Sequence, residues 1–116
     1  PIALANSFES MQKTKDVFNA LSTLGLGEEL ERISHKTIRA GRGKMRGRKY
    51  QKKKGPLIVV SVDCPLIKAC RNIPGIDAVI VSQVNVGVLA PGAKPGRLTL
   101  FTQAALQQME QKKLFM

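Results

Sequence analysis

The chain has 116 residues, 43% of them hydrophobic, which is enough for one modest core and too little for two domains. Nineteen Lys and Arg against eight Asp and Glu give a net charge of +11, pointing to a polyanionic partner. No stretch approaches the roughly 20 apolar residues of a spanning helix, two cysteines and one histidine are too few for a metal cluster, and 4% aromatics argue against a multi-ring base-stacking platform.

The chain opens at Pro1 without an initiator methionine and runs straight into apolar sequence, as expected of the carboxyl part of a longer protein. Residues 2–5 read as a short buried strand. Asn6 then caps a helix, with Glu9 three residues on closing a capping box. Met11, Thr14, Val17, Phe18, Leu21 and Leu24 recur at helical spacing and form one inward face, which Gly25 terminates. A second helix is expected over 28–34, with Leu30 and Ile33 inward and an acidic first turn matched to the helix dipole.

From Lys36 the character changes. Residues 36–54 carry ten cations, namely Lys36, Arg39, Arg42, Lys44, Arg46, Arg48, Lys49, Lys52, Lys53 and Lys54, with Tyr50 among them and no acid. Outside this segment nine basic and eight acidic residues remain, a net +1, so the charge imbalance is local. Through the run Arg39-Ala40-Gly41-Arg42-Gly43-Lys44-Met45-Arg46-Gly47-Arg48 glycines alternate with cations, and the low bulk lets the backbone approach a phosphate surface. Arginine forks can grip phosphate bidentately, which makes Arg39, Arg42, Arg46 and Arg48 the expected anchors. Self-repulsion is expected to leave this insertion loop disordered until RNA orders it.

After Gly55-Pro56, residues 57–60 are apolar on both faces and predict an interior parallel strand. Pro65 starts a short helix carrying Leu66, Ile67, Ala69 and Cys70, and Asn72-Ile73-Pro74-Gly75 ends it. Residues 78–81 repeat the buried-strand pattern and should lie beside 57–60. Residues 84–89 fit either one helical turn or extended chain. A loop over 91–96, a strand over 97–102 and a closing helix over 103–113, with Ala105, Leu106 and Met109 inward, complete the order. This alternation predicts one α/β domain spanning 1–116, with a mainly parallel four-stranded sheet flanked by helices. Arg71, Asn72, Lys94 and Arg97 add loop polarity that can meet the same RNA from another side.

Catalytic motifs are poor. Gly41-x-Gly43-x-x-x-Gly47 misses dinucleotide spacing by one residue, and Met45 follows Gly43-Lys44 where a phosphate loop needs Ser or Thr. His35 reads as a surface or capping residue, Asp63 and Asp77 as turn caps, and Cys64 and Cys70 as reduced core thiols. No catalytic residue, metal or cofactor is expected.

Five ordered motifs resemble the large-subunit ribosomal protein four family in its archaeal and eukaryotic branch. They are Lys13-Thr14-Lys15, the Arg39–Arg48 run, Gly55-Pro56-Leu57-Ile58-Val59, Arg71-Asn72-Ile73-Pro74-Gly75, and Leu89-Ala90-Pro91-Gly92 followed by Gly96-Arg97. The resemblance covers nearly the whole chain. It implies a Rossmann-like body in the cytoplasmic ribosome, bound to large-subunit ribosomal RNA beside other ribosomal proteins, with no membrane, small-molecule substrate or catalysis. An archaeal origin is favoured. The residue pattern also admits a free RNA-binding regulator acting on its own messenger RNA and, more remotely, a small nucleotide-dependent α/β enzyme.

Overall fold

The computed structural model describes residues 1–114. A three-residue strand, β1 (Ile2–Leu4), leads through a tight turn at 6–10 into α1 (Thr14–Leu21) and α2 (Gly27–Ser34), which are joined by a widened turn around Gly25. The basic segment holds two short strands, β2 (Thr37–Ile38) and β3 (Tyr50–Gln51). There follow β4 (Leu57–Val60), α3 (Pro65–Cys70), β5 (Asp77–Ile80), the single turn α4 (Val86–Leu89), β6 (Thr99–Thr102) and α5 (Gln103–Gln111).

The main sheet has the order β1-β6-β4-β5 and every pairing in it is parallel. The central strand β4 is buried throughout, because its alternate residues enter two cores. Ile58 and Val60 join Leu4 and Leu100 under α1, α2 and α3, through Val17, Leu21, Leu30 and Leu66. Leu57 and Val59 face the other way, toward Val81, Val84 and Ala105 near α4 and α5. Helices therefore cover both faces, as a continuously apolar strand requires; each fully buried Leu, Ile or Val contributes about 1.5–3 kcal/mol.

The expected neighbours β4 and β5 pair in register from Leu57–Asp77 to Val60–Ile80. β5 is an edge strand, however, and its four residues are only half-buried. The capping box does not form. Asn6 accepts from the Ala104 amide at 2.8 Å instead, and the Glu9 carboxylate crosses to the ends of β4 and β6, accepting from the Ser61 amide and hydroxyl and from Thr102. The first α-helix consequently starts at Thr14, whose hydroxyl donates to the Ala69 carbonyl at 3.1 Å and ties α1 to α3. Phe18, Leu24 and Leu106, expected inward, are 46%, 43% and 41% exposed, because the core-facing stripes are narrower than the apolar ones.

The basic segment is a β-hairpin arm rather than a disordered loop. Thr37 and Ile38 pair antiparallel with Gln51 and Tyr50, and the Arg39 amide donates to the Lys49 carbonyl at 2.8 Å. The radius of gyration is 15.2 Å, against about 13 Å for a compact chain of this length, as expected when a hairpin stands out from the body.

Candidate nucleic-acid interface

The arm concentrates charge and leaves it in solvent. Arg42, Lys44, Arg46, Arg48, Lys49, Lys52 and Lys53 are exposed, and no acidic residue lies between Lys36 and Lys54 to neutralise them. Its tip is a tight turn, Arg42–Arg46, closed by the Arg48 amide donating to the Gly43 carbonyl at 3.2 Å. Arg39 differs from the other arginines. It is half-buried, its Nε donates to the Arg48 carbonyl at 3.1 Å, and its side chain lies over Gly43, where any added Cβ would come within 2.9 Å of Arg39 Cδ. Arg39 braces the hairpin from within.

Tyr50 carries two cations. The Lys36 ammonium sits 4.3 Å from the ring centroid and that of Lys49 sits 5.5 Å away. Such contacts are worth about 0.5–1 kcal/mol at exposed sites, and the one from Lys36 draws the two strands together against the repulsion of their lysines.

The root of the arm is anchored to the body. Arg32 of α2 pairs with Glu29 and also donates to the Lys54 carbonyl at 2.8 Å. The hydrogen bond from Arg32 holds the Glu29 carboxyl below its usual range despite partial burial. The Gly55 amide donates to the Gly75 carbonyl at 2.8 Å, so the end of the arm meets the turn after α3. Both glycines are required sterically. A Cβ on Gly55 would fall 2.9 Å from two Ile33 carbons, and one on Gly75, at φ +77°, would fall 2.8 Å from the Lys53 carbonyl.

This junction brings part of the second predicted group to the arm. Arg71, Asn72, Lys36 and Lys52 line one cleft of about 370 Å³ with Ile33 and Pro74. Lys94 lies apart, exposed in a loop beside Arg32 and Lys54. Arg97 borders the same cleft as Lys94 but turns its guanidinium into the body. Its side chain is 5% exposed and donates to the Gly55, Pro56 and Val88 carbonyls and, at 2.6 Å, to the Asp77 carboxylate. An expected RNA contact is thus an internal strut, and Asp77, expected to cap a turn, takes Arg97 and Lys54. Burial opposes ionisation of Asp77, but the hydrogen bonds from Arg97 and Lys54 outweigh it and lower its pKa.

Residue patterns missed two features. Met45 is 79% exposed and Ile38 63% exposed, placing apolar surface on a cationic arm. An exposed Met between Lys44 and Arg46 was the available signal. Cys64 and Cys70 are free thiols, and burial pushes Cys70 up to about 12.

Residues 2–112 match the model of a family described as the ribosomal protein L4/L1 family. The large ribosomal subunit protein uL4 of Archaeoglobus fulgidus is 47% identical over 110 residues, covering 94% of this chain and 44% of that protein. The uL4 proteins of Nanoarchaeum equitans and Methanocaldococcus jannaschii are 48% and 44% identical, each over 97% of this chain and over 42% and 45% of their own lengths. The chain thus spans less than half the length of these curated relatives, and the name they carry is that of a large ribosomal subunit protein.

Proposed function

The chain belongs to the ribosomal protein L4/L1 family, and from that premise we propose that it is a structural component of the large ribosomal subunit that holds ribosomal RNA through the arm at 36–54. The carrying observation is the arm itself: ten cations without an acid, raised on a hairpin whose root is pinned to the body. Arg42, Arg46 and Arg48 grip phosphates as bidentate forks, Lys44, Lys49, Lys52 and Lys53 act as point charges, and Arg39, Lys36 and Tyr50 hold the arm in shape. The sheet is a Rossmann-like platform, a reading supported by its parallel strands and its helices on both faces. The protein does no chemistry; it sits in the ribosome among RNA and other ribosomal proteins.

Replacing Arg42, Arg46 and Arg48 together by Gln tests this reading. Each charge-assisted contact is worth about 1.5–3 kcal/mol before screening, so binding to a large-subunit ribosomal RNA transcript should weaken at least about tenfold in filter titrations at fixed salt. The melting temperature should hold, because these side chains lie outside both cores. Unchanged affinity with an intact fold would move the RNA site off the arm. Association with messenger RNA alone, and none with the large subunit, would replace the structural role by a regulatory one.

A further inference from the structure

We propose that the cleft between the root of the arm and the turn after α3 is a composite site for a single RNA phosphodiester, gripped jointly by Lys36 and Lys52 from one side and Arg71 from the other. The inference rests on the RNA-binding reading above and assigns it a second, built-in point of attachment.

Three observations carry it. The first is uncompensated charge. Among the described residues Lys36, Lys52 and Arg71 make no ion pair and no side-chain hydrogen bond, and no carboxylate lines the cleft. Two larger clefts differ in this respect. One contains Glu29, already paired with Arg32, and the other contains Asp77, already held by Lys54 and Arg97. Arg71 borders the Asp77 cleft too, yet makes no bond to that carboxylate.

The second observation is preorganisation. Lys52 and Arg71 are 19 positions apart in sequence, but the chain segments that carry them are pinned by the Gly55–Gly75 hydrogen bond of 2.8 Å. On the Arg71 side, Ile73 and Ile76 are buried, and the Ile73 amide donates to the Cys70 carbonyl at 3.0 Å. On the other side, Tyr50 holds Lys36. The backbone of both sides is held in place, so the ordering left to binding is that of the Lys52 and Arg71 side chains.

The third is size and chemistry. At about 370 Å³ the cleft falls within the roughly 300–1,000 Å³ range of ligand sites. Exposed Pro74 gives it apolar surface for a ribose beside the phosphate, over the buried Ile33, while Asn72 adds a donor and an acceptor. A guanidinium fork opposite two ammonium groups suits a phosphate whose oxygens point both ways.

The probe is a transcript of the Archaeoglobus fulgidus large-subunit ribosomal RNA, titrated at fixed salt against the wild type, Lys52→Gln, Arg71→Gln, the double variant, and Arg71→Lys. Each single Gln substitution should lower affinity at least about tenfold. The double variant should lose clearly less than the product of the two, because both cations hold one group. Arg71→Lys should recover only part, since a point charge replaces a fork. All positions are exposed, and melting curves should coincide. Losses that multiply in full would overturn the shared phosphodiester in favour of two separate contacts. Unchanged affinity in these variants, with the arm arginine variant still impaired, would overturn the cleft and leave the arm reading standing; loss in neither set would remove the RNA reading altogether. Anionic phosphatidylglycerol vesicles and inorganic phosphate are run as competitors. Displacement of the transcript by vesicles, or by phosphate at millimolar concentration, from the wild type but not from Arg71→Gln would overturn the assignment of the cleft to RNA.

Discussion

Arg97 occupies a position in a Gly-flanked loop where a cation reads as a surface contact, yet its guanidinium satisfies three carbonyls and one carboxylate inside the body. Arg97→Ala would take this donor from the Gly55 and Val88 carbonyls and leave the Asp77 carboxylate with Lys54 alone. A cost of about 2–4 kcal/mol is expected, reduced from the value for a fully buried pair because Asp77 is 39% exposed. Urea denaturation measures it, and RNA affinity of the folded fraction should hold. Asp77 adds a pH signature. Its pKa is lowered in the folded state, so its contribution is fully present above the ordinary aspartate value near 4 and is lost as pH falls through the lowered one. Denaturation series between pH 7 and pH 2.5 should therefore show a steeper acid loss of stability in the wild type than in Asp77→Asn. Neither role was legible in sequence, because charge identity says nothing about which way a side chain turns.

The elements fall into those set locally and those set by partners. Pro65 at the first position of α3, the central strand β4 and the inward Leu30 and Ile33 of α2 follow from residue type and spacing, and they stand where those predict. The Asn6–Glu9 pair has the same kind of signature, yet Ser61 and Thr102 compete for the Glu9 carboxylate from across the sheet and take it. The hairpin was hidden because two-residue strands among lysines and glycines carry no periodic apolar signal. The Gly55–Gly75 contact that seats this arm gives a direct test. Gly75→Ala forces a left-handed residue into a space where a Cβ meets the Lys53 carbonyl, so a loss of about 1–3 kcal/mol in urea denaturation is expected. An unchanged midpoint would mean that the junction yields without cost.

As a whole the molecule is a nearly neutral body carrying a strongly charged arm, and its association with RNA should be dominated by counterion release. If about half of the arm's ten cations touch phosphate, the slope of log K against log salt should be roughly −3 to −5. Titration from 50 to 300 mM monovalent salt measures it, and a slope near zero would point to stacking or base readout. The sequence by itself determined the α/β class, the burial of the central strand and the location of the charge, because hydrophobic periodicity and net charge are additive properties of a segment. Only the tertiary structure decided the strand order, the inward turn of Arg97, the hairpin form of the arm and the meeting of Arg71 with Lys36 and Lys52. Those depend on which distant groups compete for the same hydrogen bonds and the same space, and that competition exists only once the chain has closed on itself.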